Sequence, residues 1–448
     1  MTLDVIQNAM WFFVAVFVLV TFHEFGHFAV GRLFGVGVLK FSIGFGRPLV
    51  KWRSKKSGTE YIIGILPLGG YVKFVDEREG ELLENQIRQA FNRQNLAVRT
   101  AVVVAGPAAN FLLAVFLYWL VFGIGINGIR PVVGEVLPNS PAESLGIAVG
   151  DNLIAIDGRQ VRSWGEHRYY LLDRVRQRAT VELELSTINL DRKIVTIDTG
   201  RYAPERMEPF VLESIVGILP LIPPVIGEVI HEHPAAKAGL QARDRILAID
   251  GQKILGWRDV VRSVSIRAGQ DVFFEIRRGE AELGFNVRPE AVDKNGLRIG
   301  RVGIAPAGSG EGVVVKYGFT EAFLRAVENT WFMSRLTIQM IVMMIFGEEP
   351  TRNLGGPLSI AKYAGASAEF GLVPFLMFLA ILSISLGILN LLPVPVLDGG
   401  HLVYFLIEAI KGTPVSDTVM YWGQQIGFGI IAVLIGLALY NDVLNLFG

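Results

Sequence analysis

Apolar residues fall in long unbroken blocks toward the two ends of the chain and in short alternating runs through its middle. Ile6–Val30 is largely apolar and exceeds the roughly 20 residues a helix needs to cross a bilayer core of about 30 Å. Val98–Ile126 holds a second such block (VVVAGPAANFLLAVFLYWLVFGIGI), Leu372–Leu392 a third, and Ile426–Tyr440, with its flanks, a shorter fourth. Phe319–Phe346 breaks the pattern. Glu321, Arg325, Glu328 and Arg335 punctuate it, and its uncharged tail, Leu336–Phe346, has only 11 residues, too few to span. It predicts an amphipathic helix lying in the membrane interface. Residues 127–310 alternate short strands with Gly/Asp turns, the pattern of a water-soluble region. Residues 31–99 are mixed and glycine-rich, with alternating stretches at Phe41–Phe45 and Tyr61–Phe74. They read either as hairpins dipping against the membrane or as a cytosolic loop.

The middle region repeats itself. VVGEVLPNSPAESLGIAVGDNLIAIDGRQV starts at Val132 and VIGEVIHEHPAAKAGLQARDRILAIDGQKI at Val225, an offset of 93 residues. The offset holds for Gly134/Gly227, Pro141/Pro234, Asp151/Asp244, Gly158/Gly251 and Trp164/Trp257. A period this long means two copies of a whole small domain. Asp157-Gly158 and Asp250-Gly251 sit between β runs, as hairpin turns do. The order of strand, helix and turn signals resembles the PDZ domain, which places Ile218 (in VGILP) and Ile304 (in VGIAP) at two substrate-binding grooves. The organisation expected is a polytopic α-helical membrane protein of four transmembrane helices with two inserted PDZ-like α+β domains. Residues 1–126 form the first membrane part, including a membrane-associated loop at 31–99. Residues 127–221 and 222–310 are the two PDZ-like domains, 311–371 the interfacial helix and connector, and 372–448 the second membrane part.

Composition agrees with this mixture. The 448 residues are 51% hydrophobic and 19% charged, with a mean hydropathy of +0.43, too apolar for a soluble enzyme and too charged for a helical bundle wholly in lipid. A formal net charge of zero gives no case for nucleic-acid binding. The absence of cysteine excludes disulfides, thiolate ligands and a cysteine nucleophile. The first basic residue is Arg32, after the apolar block, so the N-terminal segment reads as a retained membrane helix rather than a signal peptide. Between the first two blocks, 12 Lys/Arg stand against 6 Asp/Glu, which puts that loop in the cytoplasm and residues 127–370 outside.

His23-Glu24-Phe25-Gly26-His27 lies inside the first apolar block. Residues i and i+4 share a helix face, so the two imidazoles can bind one Zn²⁺. Glu24, beside the first of them, is placed to act as general base on a water. Three ionisable groups this close together in a membrane segment are costly and demand a reason. The plain alternative is a polar cluster packed on a partner helix or lining a pore. Two histidines leave a catalytic zinc one protein ligand short. His167, His231 and His233 fall in the soluble region, are expected at exposed positions and are assigned no metal role. The third ligand is sought at Asp398, in Asn390-Leu-Leu-Pro-Val-Pro-Val-Leu-Asp398-Gly-Gly. Two prolines prevent a regular helix there, and irregular backbone at membrane depth is tolerated where it lines a wet cavity. On its own, Asp398 would read as a helix N-cap. Asp398 reaches the depth of the histidines only if the third block runs inward, which requires that residues 319–346 do not cross.

HExxH in the first block, GPxxN (Gly106–Asn110) in the second and NxxPxPxxDGG at the third resemble the site-2 protease family of intramembrane zinc metalloproteases. The resemblance covers essentially the whole chain. It implies that His23, His27 and Asp398 bind zinc, that Glu24 is the catalytic base and that Asn390 contacts the substrate backbone. It implies a bacterial inner (cytoplasmic) membrane, with the PDZ-like domains on the periplasmic side. The implied substrate is a single-pass protein already trimmed outside, such as an anti-sigma factor, or a signal-peptide remnant, in envelope stress signalling. The rival readings are a membrane metal transporter, which leaves the paired domains unexplained, and a non-catalytic PDZ scaffold, against which Glu24 argues.

Overall fold

The computed structural model describes residues 2–79, 87–202, 211–294, 297–307, 312–347 and 355–447. The expected boundary at 310/311 lies outside the described residues. The chain divides into a discontinuous unit, Met1–Gly125 with Lys316–Gly448, and an inserted unit, Ile126–Val315.

The first unit opens with α1 (Thr2–Leu33), β1 (Val38–Arg53), β2 (Glu60–Phe74) and α2 (Leu96–Ile124). Asn95 caps α2, its side chain accepting the Val98 N–H at 2.8 Å. Both long strands are used twice. Lys40–Ile43 pairs with Gly70–Lys73 on one side and with Glu60–Ile63 on the other, and Val50–Arg53 lies beyond Glu60–Ile63. The ribbon Gly70–Phe74 is therefore an outer strand of this sheet, on the side of Glu24. Arg32 in the last turn of α1 bonds Thr59, whereas a Cβ on Gly70 would lie within 3.0 Å of the Glu24 and Val20 side chains. The sheet thus runs beside the C-terminal half of α1. Exposed apolar Phe45, Ile65 and Leu66 lie toward its Val20 end, and exposed Lys55 and Lys56 lie at the other.

The inserted unit begins with β3 (Ile126–Gly128). The first copy follows as β4 (Val133–Val136), α3 (Pro141–Ser144), β5 (Asn152–Ile156), β6 (Arg159–Gln160), α4 (Arg168–Arg176), β7 (Thr180–Ser186), β8 (Arg192–Asp198) and β9 (Ile218–Pro220). The second is β10 (Ile226–Val229), α5 (Pro234–Ala238), β11 (Arg245–Ile249), β12 (Gln252–Lys253), α6 (Trp257–Ser265), β13 (Val272–Arg278), β14 (Ala281–Val287), β15 (Glu290–Lys294), β16 (Leu297–Arg301) and β17 (Ile304–Pro306). The sheets match strand for strand: β6-β5-β7-β8 with β4-β9 in one copy, β12-β11-β13-β14 with β10-β17 in the other. The Asp-Gly pairs make the expected two-residue turns, with φ of 48° and 74° at Asp157 and Gly158 and 49° and 75° at Asp250 and Gly251. Each aspartate also accepts a backbone N–H from the next strand, Glu182 at 2.7 Å and Phe273 at 2.8 Å. The copies differ before their last strand. A π-helical turn, Leu212–Val216, packs into the first core, where the second copy has the β15–β16 hairpin. The unit closes with β18 (Val313–Val315) paired back onto β3, Val315 opposite Ile126.

The first unit resumes with α7 (Phe319–Ile345), α8 (Pro357–Glu369), α9 (Leu372–Asn390), α10 (Asp398–Lys411) and α11 (Asp417–Phe447). Helix α7 packs on α2 and α9 and buries Ala322, Ala326, Thr330 and Ser334, a ridge of small residues four apart that permits close approach. Asp442 in α11 caps α8, accepting the Gly356 and Leu358 N–H groups, each at 2.9 Å. The core of the unit joins Ala15 and Leu19 of α1, Leu113, Leu117 and Tyr118 of α2, and Leu379 and Ile384 of α9. His23 meets Asn110 and His27 meets Val102, so α1 and α2 are antiparallel. The Trp11 ring lies 4.9 Å from that of Phe375, near the starts of α1 and α9, which run parallel. Among the described residues, four helices are long and apolar enough to cross a membrane: Asp4–Leu33, Leu96–Ile124, Leu372–Asn390 and Asp417–Leu444. The last is longer than expected, because Gln424, Gln425, Asn441 and Asp442 interrupt its apolar run without breaking the helix.

Candidate metal centre

His23 and His27 stand one turn apart on α1, both buried, with their Nε2 atoms 3.2 Å from each other. Asp398 Oδ2 lies 3.3 Å from the first and 3.5 Å from the second. A tetrahedral zinc with bonds of about 2.0–2.1 Å has ligand–ligand edges of roughly 3.3 Å. The three spacings fit that solid. Asp398 Oδ2 is also buried and accepts no hydrogen bond. Three electron-rich atoms turned toward one another repel unless a cation lies between them, and both the donor set and its geometry suit zinc. Among the described residues this is the one cluster of three such groups.

Helix α2 orients both rings. His27 Nδ1 is 2.8 Å from the Val102 carbonyl, which accepts its proton and leaves Nε2 free for a metal. The Asn110 side-chain amide is 3.1 Å from His23 Nδ1. With its oxygen turned there, the amide accepts the Nδ1–H and His23 Nε2 is equally free; in the opposite orientation Oδ1 stays buried without a donor. Ser383 of α9 holds Asn110 in turn, donating to its carbonyl at 2.7 Å. Gly106 lies between the two contacts, and a Cβ there would fall onto His27 Nε2 and the His23 ring. None of these supports is among the site residues chosen by sequence, although Gly106 and Asn110 bound the GPxxN motif. A fully buried asparagine in an apolar span is itself a signal that something needs orienting.

Asp398 is the first residue of α10, but it does not cap it: Leu397 is the N-cap and no side chain closes that end. The carboxylate turns to the histidines instead. Two residues earlier, β-branched Val396 adopts φ of 110°, a strained conformation costing roughly 1–3 kcal/mol and typical of functional sites. Glu24 lines a cavity of about 380 Å³ together with His23, His27, Asp398, Asn390 and His401. Gly70, Tyr71, Val72 and Phe74, from the outer strand of the sheet, form part of its wall. Asn390, the last residue of α9, is thus brought to the same cavity as His23, His27 and Asp398.

Ile218 and Ile304 lie in the inserted unit. Ile218 is fully buried in the first copy's core and paired with Val136, so its side chain has no open face for a ligand; Ile304 is partly buried. His167, expected to be exposed, is buried and bonds the Gln160 carbonyl at 2.8 Å, while His233 pairs with Glu290 at 2.7 Å. Both are committed to local structure.

A family model described as Peptidase family M50 matches residues 11–434. The regulator of sigma-E protease RseP of Escherichia coli (strain K12) is 44% identical over 437 residues, 96% of this chain and 97% of that protein. A Xylella fastidiosa (strain Temecula1) protein named as a zinc metalloprotease is 40% identical over 450 residues, 99% of this chain and 100% of that protein. Among solved structures, the PDZ domain of an SdrC-like protein of Listeria monocytogenes matches 18% of this chain and 84% of its own at 24% identity, with a TM-score of 0.17. Matched by the family model over most of its length and by relatives over nearly all of it, the chain belongs to peptidase family M50, the site-2 proteases, and is a zinc metalloprotease of regulated intramembrane proteolysis.

Proposed function

We propose that His23, His27 and Asp398 hold the zinc ion, that Glu24 is the catalytic base, and that the cut falls in a locally unwound stretch of a single-pass membrane protein. The observation that carries this reading is the tetrahedral spacing of three donors with the Glu24 carboxylate in the same cavity. Zinc bound there supplies Lewis acidity, polarising the scissile carbonyl and making a water acidic. Glu24 takes the water's proton and delivers it to the leaving amine. Val102 and Asn110 keep both imidazoles aimed. A helix hides its carbonyls in i→i−4 bonds, so the substrate must open before it is cut. The outer strand Gly70–Phe74 in the cavity wall suits an extended chain laid alongside it, as an added strand. Asn390, in the same cavity, is assigned to the substrate backbone.

The four apolar helices are read as spans in a bacterial inner membrane, with both copies of the repeat, as PDZ-like domains, on the periplasmic side. The basic loop after α1 supports this orientation. Helix α9 starts beside the start of α1, at the end where α2 finishes. That supports α7 as an interfacial helix making no net crossing. The apolar Phe45–Leu66 end of the sheet, level with Val20, supports hairpins that dip into the membrane from the cytoplasm. The name of the E. coli relative ties that protein to sigma-E. On this ground the substrate class here is a pre-trimmed anti-sigma factor, with signal-peptide remnants as a second source. Glu24→Gln tests the chemistry: bound zinc should stay equimolar while cleavage of a membrane reporter disappears. Turnover within tenfold of wild type would sink the general-base role.

A further inference from the structure

Helix α2 presents Arg99, Val102, Gly106 and Asn110 at helical spacings of three, four and four, and so along one face. Val102 holds His27 and Asn110 holds His23. Arg99 makes a third attachment, to α10. Its Nη1 and Nη2 donate to the two carboxylate oxygens of Glu408 at 3.0 and 2.5 Å, and its Nε donates to the Gln94 carbonyl at 3.1 Å. The guanidinium also lies 5.1 Å from the Phe405 ring centroid. Both charged side chains are largely withdrawn from solvent, 12% and 15% exposed. A two-pronged pair of this kind fixes direction as well as distance. Glu408 and Phe405 belong to the helix that begins at Asp398, a rod of about 15 Å between Asp398 and Glu408.

We propose that the Arg99–Glu408 pair is a positioning device for the metal centre: it registers α10, and with it Asp398, against the same face of α2 that orients His23 and His27. The proposal rests on Asp398 being the third ligand. A metal site tolerates about 0.2 Å of error in its ligand distances, and here the ligands come from two helices far apart in the chain. The backbone link from α9 to Asp398 is the irregular segment 391–397. Helix α10 also packs along α2 and meets α11 where Tyr404 approaches Gly423, but apolar packing allows sliding; the two-pronged pair at its third turn fixes its register in one frame with the histidines.

The test is Arg99→Met with Glu408→Leu, an apolar exchange of the kind buried ion pairs commonly tolerate. Zinc affinity is measured by chelator competition, cobalt-substituted protein by its ligand-field spectrum, and the apoprotein by thermal unfolding. Zinc affinity should fall 10- to 100-fold, the range seen when a group supporting a ligand is removed. The cobalt spectrum should shift and the apoprotein Tm should stay unchanged. Asp398→Asn runs in parallel. If it leaves zinc affinity intact, the ligand assignment itself falls; if it weakens zinc while the double variant binds as wild type, the positioning role alone is overturned. A zinc loss matched by loss of apoprotein stability also overturns it. Should the double variant fail to fold, Arg99→Lys, which keeps the charge but not the fork, decides: threefold or greater weakening supports the proposal, and wild-type affinity refutes it.

Discussion

Gly106→Ala adds one methyl group where α2 passes the two imidazoles. On the present backbone that carbon would stand 2.8 Å from His23 Cε1 and closer still to His27 Nε2. Ordinary contact begins at 3.4 Å, so the His23 ring must move by about 0.6 Å and the His27 ring by more. Ligand distances at a zinc site are held to about 0.2 Å. His27 cannot retreat without giving up its 2.8 Å contact with the Val102 carbonyl. Zinc affinity should therefore fall 10- to 100-fold, or about 1.4–2.7 kcal/mol. The helix itself responds in the opposite sense, since alanine is favoured over glycine in a helix interior by roughly 0.5–1 kcal/mol. The assay is chelator competition for zinc, with thermal unfolding of the apoprotein on the same preparation. Weaker zinc binding is the expected result; in the apoprotein the helix gain offsets only part of the roughly 1–3 kcal/mol that overpacking costs, so a small fall in Tm accompanies it. Zinc affinity within threefold of wild type would refute the packing argument.

Two further predictions concern the inserted unit. Ile188→Cys and Ile266→Cys, at positions 76% and 73% exposed in a chain without cysteine, should both react in intact cells with a thiol reagent that cannot cross the inner membrane, the outer envelope being made permeable; protection of both would invert the topology. Replacing Ile126–Val315 by a flexible linker should leave zinc bound and allow cleavage of substrates that still carry a bulky outer domain. A folded, zinc-loaded deletion variant that goes on rejecting them would show that the unit is not a size gate.

The three proposed ligands are legible in the sequence because each is an expensive residue in an apolar setting: His23 and His27 one turn apart in an apolar block, Asp398 just past a double-proline break. Their supports are less legible for three different reasons. Val102 acts through a carbonyl that every residue has, Gly106 acts by what it lacks, and Asn110 serves a ring 87 positions away, a distance no periodicity encodes. Alternation marks Phe41–Phe45 and Tyr61–Phe74 as strands but not that Lys40–Ile43 and Glu60–Ile63 each pair on two sides while Gly70–Phe74 pairs on one. For Ile218, a repeated VGI pattern marks the strand, yet only packing decides which face meets the core. The repeat itself transfers almost intact, since the Asp-Gly turns depend on local backbone chemistry that each copy carries with it.

The division of the metal centre between the two ends of the chain sets an order of events during synthesis. His27 and Asp398 are separated by 371 residues, which a ribosome adding about 5–20 residues per second takes roughly 20–75 seconds to lay down. Val102 and Asn110 follow the histidines within about 4–17 seconds on the same scale, so the rings are oriented early. The carboxylate that completes the donor set comes only after the whole inserted unit has left the ribosome and had time to close β3 onto β18. On the proposed assignment, a half-made chain therefore carries the base and two imidazoles but not three ligands, and its donor set is completed only after the inserted unit has been made.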